Sequence, residues 1–320
     1  NIPFVSGEFL TPQTLLFFAF ALAFAIKVPV FPLHTWLPDA HVEAPTPGSV
    51  ILAGVMLKMG TYCFLRWVIP LFPQAAEHYA WLFITVGVIG IIYGALVAMV
   101  QPDIKKLVAY SSVSHMGYIL IGSFAMNAYG VNGALYQMLN HGISTGALFL
   151  LIGMIYERTH SREISKYGGL ASAMPLFTIA FVIVTMSSIA VPMTNGFIGE
   201  FLILLGSYQY SPIVAVFSVT GVVLGASYML WMVKRVFFGP KGELVVLAEH
   251  DKEHALHDLS VREMCVLAPM LVLIFWMGLF PNHFMDYSKT SVEYFIKNKS
   301  NYILSTNQTQ ATIDTKVEEK

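Results

Sequence analysis

Five ionisable side chains stand inside long apolar runs, where charge is expensive. Lys27 follows the run Leu15 to Ile26, Lys58 sits near the middle of Ile51 to Leu65, and Glu200 lies in Gly196-Phe197-Ile198-Gly199-Glu200-Phe201. His115 belongs to Ser111-Ser112-Val113-Ser114-His115-Met116-Gly117-Tyr118, and His141 follows Asn140 on the next apolar segment. Each charge deep in a membrane costs at least about 2.5–3.5 kcal/mol on insertion scales, so such groups face a bundle interior or water and mark ion routes. Burial penalises the charged form of an amine or a carboxyl, and a nearby opposite charge favours it. A group held between those influences can load and release a proton. The bland alternative for Lys27, Lys58 and Glu200 is a permanent structural pairing with an opposite charge, a carbonyl or a helix end. For the histidines it is a simple interhelical hydrogen bond.

The histidines come with company. Ser111, His115 and Tyr118 share one helical face by their i, i+4, i+7 spacing, and Gln137, His141, Ser144 and Thr145 make a second polar face on the following helix. Hydroxyls, amides and imidazoles at such spacing can hold ordered water, and imidazole relays protons near neutral pH. Relay is the favoured reading of two histidines on adjacent polar faces.

The elements that must position these groups are membrane helices. Of the 320 residues, 56% are hydrophobic and only 12% charged, and the mean hydropathy is +0.65. A soluble domain carries about 25% charged residues, so lipid must cover much of this surface. With about 20 apolar residues needed per crossing, eight segments qualify: 13–36, 47–69, 81–101, 103–126, 130–158, 174–208, 212–238 and 261–280. Two are interrupted, the first at Lys27-Val28-Pro29-Val30-Phe31-Pro32 and the sixth at Val191-Pro192-Met193-Thr194-Asn195-Gly196. A proline removes a ladder donor and clashes with the preceding turn. In lipid the freed backbone is tolerated only against protein or a wet cavity. Pro29, Pro32, Pro192 and Gly196 therefore mark broken-helix positions, each break with an ionisable residue close by, which points to a transport site rather than to simple kinks.

The loops assign sides. The face reached after the first helix receives Lys105, Lys106, Arg158, Arg162, Lys166, Lys234, Arg235 and Lys241, whereas the opposite side holds only Arg66 at a helix end, apart from the polar C-terminal tail. The basic face is cytoplasmic, or its organellar equivalent, by the positive-inside rule. A polar stretch at 239–260 reads as a loop on that face. Its His250, His254 and His257 could share a helical face and hold a metal, but a solvated loop is the expected reading. Residues 281–320 read as a polar tail whose last twenty are disordered.

Other chemistries lack their motifs. The net charge of −1 gives no nucleic-acid footprint. Cys63 and Cys265 lack metal spacing and read as small apolar filler. There is no phosphate loop or nucleophile elbow, and nothing that holds a flavin, haem or iron–sulfur cluster by recognisable ligation. The chain shows no signal peptide and opens without Met, as a fragment or a chain lacking its N-terminal part would.

The runs Ala25-Ile26-Lys27-Val28-Pro29, His34-Thr35-Trp36-Leu37-Pro38-Asp39-Ala40-His41 and Ala44-Pro45-Thr46-Pro47 resemble the signature of the antiporter-like membrane subunits of respiratory complex I. Asp103-Ile104-Lys105-Lys106-Leu107, Ser112 to Gly117, Asn140-His141-Gly142 and Gly199-Glu200-Phe201 continue the resemblance over about residues 13–280. Glu200 sets the chain beside the M-type (chain 4) branch, since L- and N-type relatives usually carry lysine there. The resemblance implies an all-α, polytopic bundle belonging to an inverted-repeat antiporter-like fold. Residues 1–69 would be the remainder of a first repeat, 81–238 a complete second repeat, and 261–280 a final helix. It implies that Lys27 is the central lysine of the first broken helix, Lys58 the connecting lysine, His115 and His141 the relay, and Glu200 the exit-side carboxylate.

The implied function is proton translocation as a subunit of an NADH:quinone oxidoreductase. This chain would carry no redox centre, with NADH, FMN, iron–sulfur clusters and quinone in partner subunits that include L-type and N-type relatives. The membrane would be a bacterial plasma membrane, or else an organellar inner or thylakoid membrane. Two departures stand out. The family's first six helices, including the one that supplies a glutamate to Lys27, have no counterpart here, and Met193 replaces the usual glycine of the second break. The alternative functions are the D-type subunit of a multisubunit Na+/H+ antiporter, a membrane-bound hydrogenase subunit, or a membrane scaffold without a wet interior.

Overall fold

A computed structural model describes residues 11–250 and 256–297, which form helices and no strand. In chain order the principal helices are α1 Pro12–Lys27, α2 Trp36–Glu43, α3 Thr46–Leu71, α4 Ala80–Met99 and α5 Ile104–Ala125. They continue with α6 Ala128–Thr159, α7 Pro175–Ser188, α8 Asn195–Tyr210, α9 Pro212–Phe237 and α10 Val261–Leu279. Six of these (α3, α4, α5, α6, α9 and α10) are long and apolar enough to cross a membrane individually. The remaining four are half-helices, in two pairs.

Both expected breaks are present, and the first lies differently from its expected place within 13–36. Helix α1 stops at Lys27, a turn through Val28–Thr35 carries a cis Phe31–Pro32 bond, and α2 continues to Glu43. Pro29 and Pro32 deprive the turn of ladder donors. The indole of Trp36 spans the gap by donating to the Ile26 carbonyl at 3.0 Å. The second pair is α7 and α8, separated by Ile189–Thr194, so the segment expected at 174–208 is two helices. In each case half-helix, break and half-helix are followed by a long helix, α3 or α9.

Close approach is obtained with small residues, as is usual where lipid supplies no hydrophobic drive between helices. At Gly60 of α3, a Cβ would lie 2.6 Å from Val28 Cγ2 and 3.1 Å from the Val28 amide nitrogen. The first break thus rests directly on the helix that carries Lys58.

Helix α5 forms the centre of the bundle and is buried along almost its whole length, whereas α9 and α10 are largely exposed. Leu15, Phe20 and Leu22 of α1, Val55 and Met59 of α3, and Ile213, Val216 and Val223 of α9 are exposed, as lipid-facing or partner-facing residues would be.

The basic loops gather on one face. Lys106 pairs with Asp39 at 3.6 Å and Arg162 with Asp103 at 3.5 Å. Lys105 donates to the Ala44 carbonyl at 2.7 Å, and Arg162 to the Val42 carbonyl at 2.9 Å. Arg158 binds both oxygens of Glu263 at 2.7 and 2.8 Å, and Asp258 accepts from the first amides of α7, Leu176 and Phe177.

Two segments depart from expectation. Within the polar loop 239–260, Glu243–His250 is helical and Val245 is buried against the main bundle. Residues 281–297, expected as part of a tail, are helical, because Val292, Phe295 and Ile296 recur on one face and pack on the core. His254 and residues 301–320 lie outside the described residues, so the expectations for them stand as they were. Among the described residues no group of three candidate ligands could hold a metal.

Candidate functional site

Four of the five singled-out residues meet in the interior: Lys58 is 9% exposed, His115 8%, His141 3% and Glu200 4%. Lys58 Nζ donates to His141 Nδ1 at 2.5 Å. The rings of His141 and His115 lie 5.4 Å apart, centre to centre, nearly edge to face. His115 Nδ1 is hydrogen-bonded to Glu200 Oε1 at 2.9 Å, and Gln137 Nε2 donates to the same oxygen at 3.1 Å. A string of amine, two imidazoles and a carboxyl thus crosses α3, α6, α5 and α8 in turn.

Local backbone explains the position of the amine. Helix α3 widens into π turns at Leu52–Met56 and Phe64–Val68. A π turn displaces carbonyls from their ordinary amide partners, and such turns recur at functional sites. The Ala53 carbonyl, in the first of them, accepts from Lys58 Nζ. The lysine is therefore held by one backbone oxygen and one imidazole, with no carboxylate against it among the described residues. On its other flank an apolar groove of about 700 Å3, lined by Val55, Leu139, Ile143, Met270 and Phe284 among others, offers no further charge.

The carboxyl depends on the second break. Asn140 Nδ2 donates to the Asn195 carbonyl at 2.7 Å, and Ser187 Oγ donates to Asn195 Oδ1 at 2.5 Å. Ser144 Oγ lies 2.6 Å from Ser187 Oγ. Asn195 thereby ties the end of α7 and the start of α8 to α6, and Glu200 rides on that anchored half-helix. Beside it, His115, His141, Asn140 and Ser187 border a polar cavity of about 10 Å3, the size of one water, into which Asn140 Oδ1 and His141 Nε2 bring unpaired polar atoms.

Lys27 stands apart. It ends α1, half-buried, and no hydrogen bond or ion pair reaches its ammonium among the described residues. The expected polar face of α5 also divides. His115 enters the string, whereas Ser111 bonds back to the Val108 carbonyl and Tyr118 donates to Ser218 of α9 at 2.7 Å. Gln137 was legible as a polar neighbour but not as a ligand of Glu200. The Ala53 carbonyl and the Ser187–Asn195 bracket carried no sequence signal beyond the Asn-His-Gly run and the break itself.

Fold and interior together define a class: a polytopic membrane helix bundle with two interrupted helices and a buried string of titratable side chains between them. Residues 8–225 match the family model described as the transmembrane part of NADH:quinone oxidoreductase and Mrp antiporters, and the chain belongs to that family.

Among its relatives, NADH-quinone oxidoreductase subunit M of Rhodobacter capsulatus is 47% identical over 300 residues, covering 93% of this chain and 57% of the relative. Chain 4 of the NADH-ubiquinone oxidoreductase of Marchantia polymorpha is 44% identical over 286 residues, covering 89% and 56%. A chain of respiratory complex I from Thermus thermophilus superposes with a TM-score of 0.81 at 36% identity, covering 89% of this chain and 59% of that one. A chain of the Mrp complex from Dietzia sp. DQ12-45-1b superposes with a TM-score of 0.78 at 22% identity, again over 89% and 59%, a likeness of fold alone. The chain spans a little over half the length of these relatives.

Proposed function

We propose that this chain forms the larger part of an M-type proton-translocating membrane subunit of an NADH:quinone oxidoreductase. The observation that carries the reading is the contact string Lys58–His141–His115–Glu200, which links the helix packed on the first break to the half-helix that follows the second. Imidazoles accept a proton at one nitrogen and release it from the other, and a water-sized polar cavity adjoins them. An amine held without a carboxylate at one end and a carboxyl held by an imidazole and an amide at the other make two ends of different proton affinity.

Electron transfer takes place in partner subunits, which hold NADH, FMN, iron–sulfur clusters and quinone. L-type and N-type antiporter-like subunits are its neighbours in the membrane arm. Quinone reduction alters charge in the adjoining membrane subunits, the change alters the proton affinity of Lys27 and Lys58, and protons move through His141 and His115 to Glu200. Lys27 receives its counter-charge from outside the described residues. The basic face is the cytoplasmic one, in a bacterial plasma membrane.

Replacing Lys58 or Glu200 by Ala in the longer protein, assembled with its partners, is expected to reduce proton pumping in membrane vesicles by at least about ten-fold. Wild-type pumping in both variants rejects the assignment. A cation/proton antiporter built on the same fold shares the string but requires no NADH:quinone activity that depends on this chain. That activity separates the two.

A further inference from the structure

Resting on the proposed function, the question left by the string is how protons reach Lys58 and His141. The groove beside Lys58 is mostly apolar, and besides the lysine its lining holds a few hydroxyls and an amide, at Tyr62, Tyr136, Tyr287, Ser288 and Asn132, but no imidazole or carboxyl. Another buried imidazole offers a relay group. His41 lies in the last turn of α2, is 0% exposed, and neither ring nitrogen has a protein partner among the described residues. Buried polar atoms in native structures are nearly always hydrogen-bonded, to water where protein supplies nothing.

The surroundings of this ring place it between the basic face and the string. From α6, Phe149 stacks on it, with centroids 4.4 Å apart and planes inclined by 13°. From α3, Ser49 Oγ donates to its backbone carbonyl, and Lys58 interacts with it electrostatically. From α5 comes Lys105, at the basic face, whose ammonium is bonded to the Ala44 carbonyl three residues on. His141 is near enough to feel its charge as well. The stack fixes the ring plane while leaving both nitrogens free of protein bonds, which suits a proton carrier and wastes hydrogen-bonding capacity in a purely structural residue.

We infer that His41 is the entry relay, carrying protons from the basic face beside Lys105 to the Lys58–His141 pair. A water on the Lys105 side delivers a proton to one ring nitrogen. The proton on the other nitrogen leaves through water toward His141, and tautomer exchange resets the ring, so one proton enters for each that departs.

The test is made on the longer protein in its assembled complex, in inside-out membrane vesicles, with complex content read from native gels. His41→Phe keeps the stack on Phe149 and removes both nitrogens; pumping is expected to fall at least about ten-fold at unchanged complex content. If that variant fails to assemble, His41→Gln carries the same two outcomes. His41→Ala opens a ring-sized space, and added imidazole is expected to restore part of the pumping, whereas pyrazole, equal in size but far less basic, is not. Wild-type pumping in His41→Phe or His41→Gln, or equal rescue by pyrazole, overturns the inference. Loss of pumping in Lys58→Ala alongside wild-type pumping in His41→Phe leaves the proposed function standing; wild-type rates in both remove it too.

Discussion

A single carboxyl, Glu200, shows how much chemistry one residue carries here. Its Oε1 collects both the His115 and the Gln137 contacts, so Glu200→Gln keeps an oxygen at that point and loses only the titrating group. The variant is expected to fold with a loss of no more than about 1–3 kcal/mol, as read by thermal unfolding in detergent, while pumping by the assembled complex collapses. Met193 makes the opposite case, a residue whose backbone matters more than its side chain. It sits in the left-handed region at φ 75° with its side chain 62% exposed, where a residue with a Cβ is strained by about 1 kcal/mol or more. Met193→Gly is expected to raise the thermal midpoint, because little packing is lost and the strain is relieved. A lower midpoint would show that the methionine is contacted by a partner. The sequence exposed both sites: Glu200 through its apolar flanks, and Met193 through its place in a break where glycine is usual. What it did not expose was that Gln137 and His115 share one oxygen, since that depends on the rotation of three helices.

Between elements, the separation of α6 and α8 decides whether the string closes. Gly199, one residue before Glu200, lies so near Gln137 that an added Cβ would collide with Oε1 and stand 2.8 Å from Asn140 Nδ2. Gly199→Ala is expected to push α8 off α6, costing about 1–3 kcal/mol as overpacking does. Gln137 would then lose Glu200, and thermal unfolding and pumping should fall together. Retained pumping with lowered stability would show that the Gln137 contact is dispensable. The breaks themselves were legible from Pro29, Pro32, Pro192 and Gly196, because proline acts on its own backbone whatever surrounds it. The length of α2 was not, since Trp36–Glu43 and the Ala44 carbonyl just beyond it are held by Lys105 and Lys106 from the first turn of α5 and by Arg162 from the loop after α6. The π turns of α3 were also silent, because their register is settled by what Lys58 and its neighbours pack against.

At the scale of the whole molecule, the largely exposed α10 is joined to the central α6 by an ionic contact at the basic face as well as by packing. The fork between Arg158 and Glu263 links α6 to α10, a helix otherwise little buried. Both side chains are mostly covered, and a charge-assisted pair of this kind contributes about 1.5–3 kcal/mol. Arg158→Met is expected to lower the midpoint of thermal unfolding by loosening α10 while leaving the interior string intact. An unchanged midpoint would make the fork decorative. The sequence by itself determined the membrane class, the long apolar helices, the two interruptions and the basic face, since each follows from local hydropathy, proline geometry and loop charge. It also named the candidate groups, because a charge in an apolar run is conspicuous without any fold. Tertiary structure alone decided which of them touch: Lys58, His141, His115 and Glu200 converge, Lys27 does not, and the ring nitrogens of His41 are buried without a hydrogen-bond partner among the described residues. Contact between residues tens of positions apart depends on how helices rotate and pack, which no local pattern encodes.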